Sequence, residues 1–499
     1  MRIAPSALIV AGVMAIAIIP ALAALGFSAS SGGAPNWDYL WQAARFTLLQ
    51  ATFSTLLSAG LAVPVALVLA RRNFVGRSLL MQLFAVPQSL PPLVAVLGLL
   101  ALFGQAGLIA GMPSIYGLSG ILLAHVFFNL PFAVRLLLAG LDTIPGESWR
   151  LAAQLGMGRV EIFRIIERPV IVQALPGIAG LIFMLCVTSF TIVLTLGGGP
   201  RAATLEVAIY QALRFDYEPR LALMLSLAQL VLCAAFMAFA TRFATPMAAS
   251  AGMGVRSERP TTRGALDAPL LLLAGLFVAA PLAAVAVAGL EADVLKLLTQ
   301  ARTWQAIATS TLIAVAAASL ALALALPLAR MAGRGVKAFQ LLGQITLLIP
   351  PIVLGAGWFL LGHRLPDWSA PLFVILGNAL MALPFALTAL LGAFTRAAAV
   401  DDRLCESLGL QGLARLRLID WPQLRRAVAL AFVLAVMVSF GDLGVIAFFG
   451  TEDFVTLPFL LFQRLGSYRT DDAAGLALIL MLLALALAGL ADRLGERRT

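Results

Sequence analysis

The chain has 499 residues, of which 61% are hydrophobic and 12% are charged, and its mean hydropathy is +0.99. This composition lies far outside the range of soluble domains and predicts a protein that resides in a lipid bilayer. The net charge is +10. Because the basic residues gather between apolar stretches, this charge reflects membrane topology and gives no reason to expect nucleic acid as a partner.

Apolar stretches long enough to cross about 30 Å of hydrocarbon recur along the whole chain. We predict an all-α polytopic membrane protein of about twelve transmembrane helices. The first stretch exceeds a signal-peptide core of about 7–15 residues, so we expect it to be kept as a membrane helix. The predicted spans are 6–27, 48–70, 79–103, 117–140, 173–196, 219–241, 268–290, 305–329, 338–361, 370–394, 426–449 and 474–491.

The distribution of basic residues predicts the orientation, because positive charge near helix ends is held on the cytoplasmic side. If the N-terminus is inside, the even-numbered loops are cytoplasmic, and they hold most of the 34 lysines and arginines. Cys186 and Cys233 fall within spans and Cys405 on the cytoplasmic side, so no disulfide framework is available. These features predict a bacterial inner-membrane protein with both termini in the cytoplasm.

The chain contains an internal repeat. The sequence LPFA occurs at 130–133 and again at 383–386, and other short matches accompany it. Each copy carries an even number of crossings, so the two copies should have the same orientation and relate by an axis along the membrane normal. We predict two tandem parallel six-helix repeats, 1–243 and 267–499, joined by a cytoplasmic linker at 244–266.

One charged segment interrupts the apolar pattern in each repeat; we name them charged loop 1 (about 142–170) and charged loop 2 (about 395–423). In each loop a short helical pattern meets a glycine, Gly156 or Gly409, and a second amphipathic pattern runs on to a proline. Glycine can adopt the positive φ that ends a helix, and proline suits the first turn of the next helix. The pattern predicts a helix–turn–helix elbow, which is either a pair of solvated surface helices or a docking surface.

Both charged loops resemble the EAA loop of ABC importer permeases, in which a short helix docks into a cleft of the ATPase subunit. The glycine and the Ile-x-x-Pro end of that motif are present, whereas Arg150 and Arg403 stand at its first position in place of Glu. The resemblance implies that ATP hydrolysis belongs to a separate chain. The residues that it implies at the ATPase contact are Ala152, Ala153, Gly156, Arg164, Pro169, Leu404, Gly409, Arg417 and Pro422.

Over nearly its full length the chain is similar to the fused permeases of bacterial thiamine and thiamine pyrophosphate ABC importers, notably at 196–220, 404–422 and 439–474. This resemblance implies the type I importer permease fold and a translocation path for thiamine compounds. It implies as partners two copies of a cytoplasmic ATPase, one periplasmic binding protein and the lipid bilayer. ATP and Mg²⁺ would lie on the ATPase, with no cofactor on this chain. Fused permeases of similar build also serve ferric iron, and that alternative stays open.

The residues themselves offer no sign of catalysis. A phosphate-binding P-loop needs a lysine after a glycine-rich turn, and the only lysines, Lys296 and Lys337, do not follow one. The glycine-rich stretch at 196–200 has no such lysine. The only histidines, His125 and His363, are far apart and lack cysteine spacing, so we expect no metal site. We therefore predict a transport subunit and not an enzyme.

An ion-coupled secondary transporter is the alternative from another class, and it needs ionisable groups near mid-membrane. His125 and Asp442 are the main candidates. Hydrogen-bonded packing is the plainer interpretation of His125. Asp442 either lines the path of a cationic substrate or makes a structural bond near the outer gate. We assign the path to Asp442 with Ser189 and Ser439, two serines that recur in the repeats. A scaffold without transport has no positive feature.

Short helical patterns occupy two outer loops, at 204–215 and 456–468. Their aromatic and apolar residues either anchor the helices at the membrane interface or form a gate that receives the binding protein.

Overall fold

The computed structural model describes residues 5–28, 36–104, 107, 115–199, 202–243, 266–362, 365–366, 368–410, 414 and 416–495. These residues form helices and no β-strand. Among them, ten helices are long and apolar enough to cross a membrane, or up to twelve if each of two bent helix pairs is one span. The predicted all-α membrane fold of about twelve spans is therefore confirmed for this part of the chain.

The helices in the first half of the chain are α1 (Pro5–Ser28), α2 (Trp37–Arg71), α3 (Arg77–Leu83), α4 (Val86–Ser89), α5 (Pro92–Phe103), α6 (Leu118–Leu141), α7 (Gly146–Gln154), α8 (Arg159–Ile162), α9 (Arg168–Val187), α10 (Thr191–Leu196), α11 (Leu205–Arg214) and α12 (Pro219–Phe243). A π-helical turn, Phe163–Glu167, joins α8 to α9.

The helices in the second half are α13 (Asp267–Glu291), α14 (Val294–Thr299), α15 (Ala301–Gly333), α16 (Lys337–Gln344), α17 (Pro351–Gly362), α18 (Ser369–Ser407), α19 (Trp421–Phe440), α20 (Gly444–Phe449), α21 (Leu457–Gly466) and α22 (Thr470–Gly495). A 3₁₀ turn, Ile345–Leu347, follows α16, and a second π-helical turn, Leu416–Asp420, precedes α19.

The predicted spans 79–103 and 338–361 are bent helix pairs, with angles of 112° and 75° at their breaks. A Pro-Pro dipeptide stands at each break, and its second proline begins α5 in one repeat and α17 in the other. Proline cannot donate the backbone hydrogen bond of a helix interior and disfavours a helical residue before it. The repeated dipeptide thus explains both bends.

At the predicted spans 173–196 and 426–449 a helix long enough to cross a membrane is present, but it ends before the predicted boundary and a short helix follows it. In the first, α9 ends at Val187 and α10 begins at Thr191; in the second, α19 ends at Phe440 and α20 begins at Gly444. Thr188 donates its hydroxyl to the Met184 carbonyl at 2.9 Å, a local bond that competes with helix continuation. Hydropathy could not show these breaks, because both sides are equally apolar.

The chain forms two compact units that cut across the sequence repeats. The α15 unit comprises Met1–Trp37, Ala208–Leu230 and Gly289–Thr499, and the α2 unit comprises Asp38–Val207 and Val231–Ala288. The first helix of each repeat, α1 or α13, therefore belongs to the unit built mainly from the other repeat. The repeat boundaries stay a prediction, and the predicted linker lies outside the described residues apart from residue 266.

In the α2 unit, small side chains of α2 pack against larger ones of α6, α9 and α13. Ala59, Ala66 and Ala70 share one buried cluster with Phe127 and Ile178. Alanine permits close approach between membrane helices, where van der Waals packing supplies much of the association energy. Helix α13 comes so near to α5 that a Cβ atom at Gly98 would lie 2.3 Å from the Pro281 carbonyl oxygen.

The α15 unit repeats this construction. Helix α15 packs against α18 and α19 through alanines that include Ala317 and Ala321. Helix α1 lies on α17, where a Cβ at Gly357 would meet the Ala21 carbonyl oxygen at 2.1 Å. The indole N–H of the buried Trp358 donates to the Ala17 carbonyl at 3.1 Å. We call α1 and α13 the exchanged helices, because each belongs to the unit built mainly from the other repeat. Each exchanged helix is therefore held at a glycine of a bent pair.

Candidate functional site

Charged loop 1 turns at Gly156, whose φ is +62°. The Gly156 N–H donates to the Ala153 carbonyl at 3.2 Å, and the Met157 N–H donates to the Ala152 carbonyl at 3.0 Å. These are the two hydrogen bonds of a Schellman motif, which ends a helix with a left-handed residue. The predicted positive φ at this glycine is confirmed.

Charged loop 2 ends its first helix in the same way. Gly409 has φ +65°, and the Leu410 N–H donates to the Cys405 carbonyl at 2.9 Å. Cys405 and Ala152 occupy equivalent positions in the two loops. The backbone of Leu404 lies in α18, but its side chain lies outside the described residues.

Beyond the glycine, charged loop 1 differs from the predicted elbow at the proline. The residues from Arg159 to Val187 form one continuous helical span, in which Pro169 is the second residue of α9. The Arg168 N–H donates to the Phe163 carbonyl, five residues back, in the π-helical turn. Proline has no N–H for the carbonyl four residues before it, and a π turn accommodates this loss. Charged loop 2 places Pro422 after its own π turn.

A cleft of about 440 Å³ lies against charged loop 1. Apolar side chains beside it are exposed, with 55% of Leu151 and 58% of Ile165 accessible, and Leu155 and Val160 are exposed on the same loop. The residues that line the cleft are Thr143, Ile144, Pro145, Ser148, Leu151, Ala152, Met157, Ile165, Ile166 and Val170. An exposed apolar surface beside a cleft is typical of a protein–protein contact.

The other residues predicted at the ATPase contact lie mostly on the loop surfaces. Ala152 is buried, whereas Ala153 is exposed. Arg164 and Arg417 are exposed within the two π turns. Pro169 and Pro422 are exposed as well. In charged loop 2, Leu408, Leu418 and Trp421 are exposed apolar side chains.

Buried ion pairs behind charged loop 1 were not predicted from the sequence. Arg71, the last residue of α2, makes a bidentate pair with Glu167 of the π turn, and both side chains are buried. Arg72 and Arg159 donate to opposite oxygens of Asp267, at 2.9 and 2.8 Å. The sequence did mark both residues of the Arg71–Glu167 pair. An acid stands eleven residues after the glycine in both loops, and Arg71 belongs to a repeated LAR sequence.

The two serines predicted to line the path make equivalent hydrogen bonds in the two units. The His125 ring lies between the hydroxyls of Ser54 and Ser189, 2.9 Å from each. Asn378 donates its amide to the Ser439 hydroxyl at 2.9 Å. His125 and Asn378 both precede the repeated LPFA sequence by five residues. The interpretation of His125 as a hydrogen-bonded packing residue agrees with these contacts.

Asp442 lies between α19 and α20. Its carboxylate accepts from the backbone N–H groups of Gly444 and Val445, at 3.0 and 3.3 Å. A carboxylate at the start of a helix satisfies N–H groups that have no partner within the helix. Of the two interpretations of Asp442, the structural bond is thus observed; a role in the path stays a prediction.

Both predicted outer helices are present, as α11 and α21. Most of their side chains are buried in the protein, including Tyr210 and Phe459. Helices that were anchored only at a membrane interface would leave more of their side chains exposed. Among the described residues, no group of three or more His, Cys, Asp or Glu side chains could hold a metal ion; His363 lies outside them.

An all-helical membrane protein with two matching helix–glycine–helix loops has the architecture of an importer permease. A family profile described as the inner membrane component of binding-protein-dependent transport systems matches residues 62–248. The similar curated proteins include the thiamine transport system permease protein ThiP of Brucella abortus (strain 2308), which is 49% identical over 98% of this chain and 96% of that protein.

Two further relatives carry the same description. That of Escherichia coli (strain K12) is 42% identical over 98% of this chain and 97% of its own. The protein of Haemophilus influenzae is 36% identical over 91% of this chain and 89% of its own. The chain belongs to this ThiP family of transport system permeases. It is an integral membrane transport subunit and not an enzyme.

Proposed function

We propose that this chain forms the translocation path of an ABC importer for thiamine or thiamine pyrophosphate. The observation that carries the proposal is the family membership: relatives that are 36–49% identical over nearly the whole chain are described as thiamine transport permeases. These descriptions do not favour ferric iron as the substrate. An ion-coupled secondary transporter is not favoured either, because the buried His125 is held by two serines.

The two charged loops are the proposed docks for two copies of a cytoplasmic ATPase, which would bind ATP and Mg²⁺. Two observations support one ATPase copy for each loop. Both loops end a helix at a glycine with positive φ, and both continue through a π turn into a membrane helix. In charged loop 1, Leu151, Leu155 and Val160 present apolar surface to a partner.

The opposite side of the membrane is the proposed site for one periplasmic binding protein, with both termini of the chain in the cytoplasm of a bacterial inner membrane. The orientation is supported by the distribution of basic residues, because the even-numbered loops hold most of the 34 lysines and arginines. Helices α11 and α21 are the proposed outer gate. Ser189, Ser439 and Asp442 lie at the ends of α9 and α19, where the interrupted helices bring polar groups into an apolar bundle.

Uptake by proteoliposomes that hold this chain with its ATPase tests the proposal. We expect labelled thiamine to accumulate only when ATP is inside and the binding protein is outside. Accumulation of ferric iron without thiamine would assign the substrate to the alternative. Uptake that follows a proton or sodium gradient without ATP would contradict an ABC importer. Calorimetry on the cognate binding protein, with thiamine compounds against ferric iron, identifies the ligand independently.

A further inference from the structure

Helix α2 carries an unusual row of buried polar side chains. Thr47, Gln50 and Ser54 are all inaccessible to solvent, although each lies in a long apolar helix. Polar groups within a membrane bundle are costly unless they form hydrogen bonds, and they then fix one helix to its neighbours. The partners of this row show what α2 is fixed to.

At its cytoplasmic end, α2 is fixed to charged loop 1. The Arg71 Nε donates to Glu167 Oε1 at 2.8 Å, and a second bond joins Nη2 to Oε2. The accessible fractions of the two side chains are 7% and 1%. A bidentate arginine–carboxylate pair has a defined geometry, unlike a single contact between flexible charges. A displacement of the π turn that holds Glu167 therefore displaces the end of α2.

Toward its other end, α2 is fixed to the start of α11. The Leu205 N–H, at the first residue of α11, donates to the Thr47 hydroxyl oxygen at 2.9 Å. One turn further along α2, Gln50 donates to the Cys186 carbonyl at 2.8 Å. A helix rises 1.5 Å per residue, so Thr47 and Arg71 are about 36 Å apart along α2. One continuous helix thus contacts both the proposed gate and the proposed ATPase dock.

The α15 unit makes the same outer contact. The Leu457 N–H, at the first residue of α21, donates to the Ser310 hydroxyl oxygen of α15 at 2.7 Å. A hydroxyl on the long second helix therefore accepts from the first N–H of the outer helix in both units. The recurrence of one contact in two different sequence contexts indicates a requirement of the architecture.

We infer that α2 connects the outer helix α11 to charged loop 1, with Thr47 and Arg71–Glu167 as the positioning contacts at its two ends. The inference rests on the proposed function, because it needs an ATPase at the loop and a binding protein on the outer side. If contacts at the two ends of one helix act through that helix, their energies are coupled, and a double-mutant cycle measures this coupling.

The test uses the complete complex in proteoliposomes and measures how much the loaded binding protein stimulates ATP turnover. Glu167→Gln removes the charge of the inner contact, and Thr47→Val removes the outer acceptor. We expect each variant to lower the stimulation by about tenfold, within the range of typical coupling between sites. The double variant should be no worse than the stronger single one. Stimulation is expressed relative to the basal ATP turnover of each variant, and capture of the ATPase should persist because Leu151, Leu155 and Val160 stay in place.

Two controls come from the chain itself. Thr47→Ser keeps the hydroxyl, as Ser310 does in the α15 unit, and should retain wild-type stimulation. Glu147→Gln breaks the exposed pair with Arg150 in the same loop and should also retain it. If Glu167→Gln does not accumulate, Arg71→Lys keeps the charge and loses the bidentate geometry, so it should lower the stimulation as well.

Unchanged stimulation in the Thr47 and Glu167 (or Arg71) variants overturns the inference. A double variant whose loss is the product of the single losses also overturns it, since the two ends would then act independently. These outcomes differ from failure of the proposed function. In that case the wild-type chain itself would not capture the ATPase, or its ATP turnover would not respond to the binding protein.

Discussion

The close approach of each exchanged helix to a glycine predicts two equivalent destabilising substitutions, Gly98→Ala and Gly357→Ala. The added Cβ would lie 2.3 Å from the Pro281 carbonyl oxygen in the first case and 2.1 Å from that of Ala21 in the second. Real Cβ atoms essentially never lie within 3.0 Å of such a neighbour, so the two distances are 0.7 and 0.9 Å too short. The neighbouring atom belongs to a backbone, and a rotamer change cannot remove the overlap.

We expect the free energy of unfolding to fall by about 1–3 kcal/mol in each variant, the usual effect of overpacking a well-packed interior. The effect should be at least as large for Gly357→Ala, where the overlap is greater and the Trp358–Ala17 hydrogen bond lies next to it. Cys186, Cys233 and Cys405 are free and buried. A thiol-reactive fluorophore therefore reports thermal unfolding of the detergent-solubilised protein.

The matched control is Gly60→Ala in α2, where an added Cβ meets nothing within 4 Å. Because alanine is the better helix former, this variant should be as stable as wild type or slightly more so. Unfolding midpoints of Gly98→Ala and Gly357→Ala that equal the control would refute the reasoning. They would show that α1 and α13 can move away from the bent pairs at no cost.

Three further predictions concern coupling, topology and the path. Gly156→Pro and Gly409→Pro should abolish transport and weaken ATPase capture while the protein stays in the membrane, since proline forbids the positive φ; undiminished capture by pulldown would contradict docking. In a background without the three native cysteines, Phe215→Cys should react with an impermeant maleimide in intact cells, whereas Val75→Cys should not. Labelling of Val75→Cys would contradict the predicted orientation. Asp442→Asn keeps a hydrogen-bond acceptor for α20, so the variant should accumulate and its complex should hydrolyse ATP, but uptake of thiamine should fall because its thiazolium is a permanent cation. Wild-type uptake at equal abundance would remove Asp442 from the path, and failure to accumulate would leave only the structural bond.

Features governed by local sequence could be predicted. The turns at Gly156 and Gly409 follow from the freedom of glycine at positive φ, and the membrane helices follow from the length of apolar runs. The bends at the Pro-Pro dipeptides could have been predicted from the same local rules. The π turns before Pro169 and Pro422 are harder, because proline in a first turn is compatible with an ordinary α-helix as well.

Features governed by contacts between distant segments could not be predicted. The pairing of Arg71 with Glu167 joins residues from separate helices. Each residue belongs to a repeated pattern, but no local rule matches one pattern to the other. The exchange of α1 and α13 is hidden for a related reason. Lipid and protein interior are equally apolar, so the hydropathy of a helix does not reveal which helices it packs against. The role of Asp442 at the start of α20 needed the observed helix break.

The exchange of first helices also sets the order in which the units can be finished during translation. Helix α1 ends at Ser28, but its partner α17 begins only at Pro351. At about 5–20 residues per second, the ribosome needs roughly 15–65 s to cover that interval. Helix α1 must wait in the bilayer for this time, which its apolar contact residues Ala17 and Ala21 allow. The α2 unit has all its segments once Ala288 is made, whereas the α15 unit stays open until the chain's last helix arrives. A nascent chain that stops soon after Ala288 carries one finished unit and only the early segments of the other, Met1–Trp37 and Ala208–Leu230, the form that membrane quality control would encounter.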